Sequence, residues 1–73
     1  MGEYTGYIGK LGILIYEGDT VINSKGILFT VTFDYYLGFV LISKEHGTIE
    51  KLNEFICSDL EVLIDQTPII IPS

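Results

Sequence analysis

The chain of 73 residues has no arginine, no alanine and no tryptophan, and only one cysteine and four lysines. Each shortage excludes something. Arginine is the side chain best suited to bidentate phosphate recognition, and clustered Lys and Arg supply most of the non-specific affinity for a nucleic-acid backbone. Lys10, Lys25, Lys44 and Lys51 stand against ten carboxylates, for a net charge of -6, so nucleic acid and anionic membrane surfaces are disfavoured as partners. Cys57, being alone, closes no intramolecular disulfide, and a small domain without staples points to a reducing, intracellular setting. The N-terminus has no basic leader, and the apolar runs Ile13 to Tyr16 and Leu37 to Ile42 are far too short to cross a membrane. The expected location is the cytoplasm.

What the chain has in excess is apolar mass: 48% of its residues are hydrophobic, including 12 Ile, 8 Leu, 4 Val, 4 Phe and 5 Tyr. A domain of this size buries only roughly 60% of the surface its unfolded chain exposes. Part of that mass must remain on the surface or meet another chain.

Period-2 patterning dominates and predicts an all-β fold. From Gly26 to Asp34, Ile27, Phe29, Val31 and Phe33 alternate with Leu28, Thr30, Thr32 and Asp34, as in a half-buried strand. Ile13 to Tyr16 and Thr20 to Ile22 read as short extended pieces around a Glu17-Gly18-Asp19 turn, in which Asp19 hydrogen-bonds the backbone. Phe39 to Ser43 is apolar on both faces and reads as a strand covered on two sides, joined to the preceding strand by Asp34-Tyr35-Tyr36-Leu37-Gly38. Ile49, Leu52, Phe55 and Ile56 lie three and four apart behind Thr48, which predicts one or two helical turns over 48–56 capped by Thr48, with Thr48 to Glu50 open to a strand start. Leu60 to Ile64 alternates again. An extended tail, 66–73, closes the chain between Pro68 and Pro72. Five short strands with one helical turn describe a single SH3-like, partly open β-barrel over 1–73, with no linker, internal repeat or low-complexity segment.

The order of these signals carries a resemblance. Tyr4 to Val21, and within it Ile15-Tyr16-Glu17-Gly18-Asp19-Thr20-Val21, resembles the opening stretch of the C-terminal β-barrel domain of the YopX family of phage and prophage proteins. Val31-Thr32-Phe33-Asp34, Gly38-Phe39, Leu52-Asn53-Glu54-Phe55 and Leu60-Glu61-Val62-Leu63 with Pro68 follow in the order of that family's later landmarks. Ile64-Asp65 departs from it, and the N-terminal segment usual in the family is absent. The resemblance implies a phage or prophage origin, a bacterial host cell and a β-barrel. It implies no catalytic residue.

Chemistry-bearing residues are sparse. Cys57 follows Phe55-Ile56, where a free cysteine behaves as a small buried hydrophobe, and His46 sits in a polar turn, so the two form no nucleophile-base pair and the chain reads as non-enzymatic. One His, one Cys and scattered carboxylates make no spaced metal-ligand set, and no cofactor is expected. The acids Glu45, Glu50, Glu54, Asp59, Glu61 and Asp65 form either a solvated face or a mimic of nucleic-acid charge. Binding is assigned to Tyr4, Tyr7, Tyr35 and Tyr36, because tyrosine brings a large rigid contact area at little entropic cost, or else such rings close the barrel end. It is also assigned to Ile69, Ile70 and Ile71, which alternate sides and are suited to adding a strand to a neighbouring edge. The expected function is a phage-encoded protein-binding module and homo-oligomer, directed at a host or phage protein and inhibiting a host enzyme or anti-phage defence system. A nucleic-acid-binding barrel and a nucleotide-sequestering oligomer are the alternatives.

Overall fold

The computed structural model describes residues 2–63; Ile64, Asp65 and the tail 66–73 with Ile69, Ile70 and Ile71 lie outside the described residues. Seven strands follow in order: β1 (Tyr4–Ile8), β2 (Leu14–Tyr16), β3 (Thr20–Ile22), β4 (Leu28–Asp34), β5 (Gly38–Ser43), β6 (Ile49–Lys51) and β7 (Glu61–Leu63). A 3-10 turn (Lys10–Gly12) joins β1 to β2, and one helix, α1 (Glu54–Cys57), precedes β7. Among the described residues the fold is all-β with a single short helix.

The alternating segment forms the longest strand. In β4, Phe29 and Val31 are buried and Phe33 is half exposed, so the predicted apolar face points at the core until the strand nears its end. β5 buries residues of both faces, Val40 on one and Leu41 and Ser43 on the other. The antiparallel pairing Val31↔Leu41 brings the two central side chains opposite each other. β3 joins β4 through Val21↔Phe29, β7 joins β3 through Val21↔Val62, and β6 joins β5 through Leu41↔Glu50, giving the order β6-β5-β4-β3-β7.

β1 and β2 form a separate two-stranded sheet, so among the described residues the strands make two sheets and no closed barrel. Three contacts hold this hairpin in place. Lys10 N–H donates to Leu60 O at 2.7 Å, and Gly9 passes so close that a Cβ there would meet the same oxygen at 2.7 Å. At the other end, Gly18 N–H donates to Val31 O at 2.7 Å. Gly18 takes the left-handed φ of +93° that glycine accommodates, and Asp19 Oδ2 accepts the N–H of Tyr16 at 2.8 Å, as the turn chemistry predicts. Ile15 of β2 thereby enters the core with Val21, Phe29, Val31, Leu41, Leu52, Cys57 and Leu60.

Two expectations need correction. Residues 49–51 are strand, the alternative left open at Thr48 to Glu50, rather than helix, because pairing with Val40 to Ile42 gives their backbone sheet hydrogen bonds that a lone helical turn cannot match. The helix starts later, and Asn53 rather than Thr48 caps it: its Oδ1 accepts the N–H of Ile56 at 2.8 Å. The segment Tyr4 to Ile8, not expected as a strand, is β1, and together with β6 it raises the five expected strands to seven among the described residues.

The core assignment predicts the cost of truncation. Leu41→Ala, at a side chain with no exposed surface, is expected to lower the free energy of unfolding in urea by about 2–5 kcal/mol, and Phe55→Ala, on the exposed side of α1, by at most about 0.5 kcal/mol.

Candidate functional site

The β4–β5 ladder ends at Asp34↔Gly38, leaving Tyr35, Tyr36 and Leu37 to make the turn. The backbone of that turn is tied down from three directions. Asp34 Oδ2 accepts the N–H of Tyr36 at 2.9 Å and of Leu37 at 2.8 Å, the local carboxylate turn to which Asp is suited. Lys51, on the neighbouring strand β6, donates its Nζ to Leu37 O at 2.9 Å. Gly38 re-enters the ladder at a φ of +85°, where a side chain would be strained.

On this fixed turn both tyrosines face solvent. Tyr35 is 86% and Tyr36 89% exposed, so neither ring lies as a lid on the core. They touch each other edge to face, with centroids 5.5 Å apart and planes at 87°. Below them Phe33 and Phe39, opposite each other in the ladder, make a second edge-to-face pair at 5.2 Å. Phe39 packs on the core while Phe33 remains half exposed, so the aromatic surface runs from the core to the tip. Such a tip offers rigid apolar area and two phenol groups that donate and accept hydrogen bonds.

The other predicted tyrosines lie elsewhere. Tyr4 stands on the two-stranded sheet and stacks on Tyr16 at 5.5 Å, a partner the sequence reading did not single out although Leu14 and Tyr16 are two apart on an exposed face. Tyr7 is half-buried and packs against the core. The structure thus brings Tyr35 and Tyr36 together and separates Tyr4 and Tyr7 onto opposite faces of β1.

The titratable groups are dispersed. Cys57 is fully buried, and burial pushes its thiol up to about 11 against a smaller opposing effect of a backbone hydrogen bond from Asn53. His46 is exposed, 3.8 Å from the carboxylate of its neighbour Glu45. Among the described residues no three His, Cys, Asp or Glu gather as a metal site. An open groove of about 450 Å³ runs between the Asn23–Lys25 turn and α1, with Phe29 and Leu60 at its floor and Lys25, Glu50 and Asp59 at its rim. Asp59 is committed to the turn, accepting the backbone N–H of Ser24 at 3.1 Å and its hydroxyl at 3.0 Å, contacts that hold its carboxyl below the usual range. Among the described residues, no helix is long and apolar enough to cross a membrane. Compared with family models, curated proteins and solved structures, the chain matches none.

Two measurements follow from this geometry. A buried thiol that stays neutral stabilises the fold fully below the unfolded thiol's ionisation near 9.0, and that stability is lost as pH rises towards 11. The urea-unfolding free energy is therefore expected to drop by about 2 kcal/mol more in the wild type than in Cys57→Ala between pH 9 and 11. Asp34→Ala removes both acceptors of the tip and is expected to speed amide exchange at Tyr36 and Leu37, read by NMR, while exchange at Val31 and Leu41 stays slow.

Proposed function

We propose that the chain is a non-enzymatic protein-recognition module of phage or prophage origin that engages a host or phage protein through the tip of the β4–β5 hairpin. The observation that carries this reading is the pair Tyr35 and Tyr36, both almost wholly exposed on a turn whose backbone is held by Asp34 and Lys51. Exposing two large rings on an ordered turn has no folding benefit, since neither covers the core. It suits binding, because contact area presented on a pre-ordered backbone loses little entropy when a partner closes over it. The burial of Cys57 and the exposure of His46 support the non-enzymatic part, since a buried neutral thiol is a poor nucleophile. The resemblance of Tyr4 to Val21 to the YopX family supports the origin, and inhibition of a host enzyme or anti-phage defence system is the consequence that fits a module of this kind.

Immobilised protein is expected to capture a defined bacterial protein, and Tyr35→Ala/Tyr36→Ala to weaken that capture by at least roughly 30-fold while leaving the melting temperature unchanged. Equal capture by the variant, or no capture by the wild type, refutes the proposal.

A further inference from the structure

The five-stranded sheet turns one face to the core, where Val31 and Leu41 stand opposite each other. Side chains alternate along a strand, so the residues between them occupy the reverse face. There the direct pairs Leu63↔Thr20, Thr20↔Thr30, Thr30↔Ile42 and Ile42↔Ile49 make one unbroken row across all five strands. Ile22↔Leu28 continues the face on one side of that row and Thr32↔Val40 on the other. Ile15, Leu52, Cys57 and Leu60, from the other parts of the described chain, all join the core with Val31 and Leu41, on the opposite side of the sheet. Val40, paired between Thr32 and Lys51, is buried, but Leu28 is 38%, Ile49 57% and Leu63 39% exposed.

A sheet face turned to water ordinarily carries polar and charged residues. This one carries aliphatic and threonine side chains in a chain with ten carboxylates. An apolar face of this kind marks an interaction surface. Within the three rows, charge stands only at two diagonal corners, and with opposite sign: Glu61, paired with Ile22 on β7, and Lys51, paired with Val40 on β6. Lys51 donates once, to Leu37 O, and an ammonium has three donors, so two remain.

We propose that this face is the contact surface of a symmetric dimer, in which two copies of the chain pack sheet on sheet about a dyad through Thr30. The diagonal charges select a second copy, because a twofold axis repeats every contact and sets each Lys51 against the other copy's Glu61. At roughly 4.8 Å between strands and roughly 3.4 Å per residue, the same dyad lays Ile22 over Ile49 of the second copy and Leu28 over its Ile42. The sheets then cross nearer to orthogonal than to aligned, one of the two usual packings. Five strands and three rows make a face of roughly 24 by 20 Å, so two copies bury on the order of 1,000 Å², the lower bound for a specific contact. The dimer is therefore reversible. Long-range repulsion between two chains of charge -6 is screened over roughly 8–10 Å, and between the corners the face has no carboxylate to add to it. Tyr35 and Tyr36 lie beyond the last rung of the β4–β5 ladder, outside the contact.

Sedimentation and light scattering of the full chain test the proposal. The wild type is expected to be dimeric at about 0.5 mM and to dissociate on dilution. Leu28→Asp/Ile49→Asp, at two exposed positions, is expected to be monomeric at the same concentration with an unchanged circular dichroism spectrum, while Tyr35→Ala/Tyr36→Ala remains dimeric. Glu61→Lys is expected to weaken association several-fold although it lowers the net repulsion, and equal or tighter association would discard the dyad. Without any variant, a mixture of isotope-labelled and unlabelled wild type is expected to show NMR contacts between Ile22 and Ile49 methyl groups of different copies. A monomeric wild type overturns the proposal and leaves the face to a partner of other chemistry. A dimer that survives Leu28→Asp/Ile49→Asp, or that lacks the Ile22–Ile49 contacts, overturns it as well by placing the interface elsewhere.

Discussion

The antiparallel pairing of β4 with β5 over six residue pairs, from Phe29↔Ser43 to Asp34↔Gly38, is the constraint from which the remaining geometry follows. Side chains alternate along a strand, so a slip of one residue would turn Val31 and Leu41 away from the core and bring Thr30 and Ile42 into it. The register also sets the length of the turn. With Asp34 opposite Gly38, three residues must reverse the chain, and Phe33 and Phe39 make an edge-to-face pair in the rung before the last. Tyr35 and Tyr36 lie beyond the last rung of the ladder and stand exposed, so the tip is a consequence of the same ladder that builds the core.

The rest of the chain is attached to this ladder by few but well-placed contacts. The N-terminal hairpin contributes one core side chain, Ile15, and is steadied from within by Thr5, whose hydroxyl donates to Ile15 O at 2.8 Å and accepts the N–H of Tyr7 at 3.1 Å. The segment from Leu52 to Leu60 adds Leu52, Cys57 and Leu60 through a helix of only four residues. A helix that short has no independent stability. Its Asn53 cap fixes where it begins, and the burial of Cys57 fixes how it faces. Cys57 thus serves as a small apolar core residue, and the same burial suppresses its chemistry.

Strand β4 was legible in the sequence because one face is buried and the other is not, which leaves a strict alternation. β3 was legible at its observed bounds because Glu17-Gly18-Asp19 and Asn23-Ser24-Lys25-Gly26 punctuate it on both sides. β1 was not, since Tyr4, Tyr7 and Ile8 place large apolar groups on both faces and the register shifts between Tyr4 and Ile8, so no period-2 signal survives. β6 was legible only as the alternative to a helix, a strand start at Thr48 to Glu50, for a related reason: Ile49, Leu52, Phe55 and Ile56 have helical spacing, but Ile49 is an exposed edge residue and Leu52 is core. Their spacing arises from two elements lying end to end, and pairing with β5 decides the conformation of the first. At the site, the Asp-Tyr-Tyr-Leu-Gly turn was readable from its chemistry, whereas the Tyr4–Tyr16 contact spans two strands and needed their register to be known.

Charge placement determines how the exposed aromatic tip can work. The one carboxylate in its turn, Asp34, spends an oxygen on the backbone N–H groups of Tyr36 and Leu37, and the nearest lysine, Lys51, is committed to Leu37 O. A partner at the proposed binding tip would be recognised by ring shape, apolar area and the phenol hydroxyls rather than by a directed charge pair. The net charge of -6 acts at longer range, repelling acidic surfaces and favouring approach to neutral or basic ones, an effect that salt screens over roughly 8–10 Å. In the proposed binding role, affinity and approach would be governed by different parts of the molecule: ring contacts at the tip would determine how slowly a partner leaves, and the carboxylates spread over the rest of the chain would determine which partners arrive.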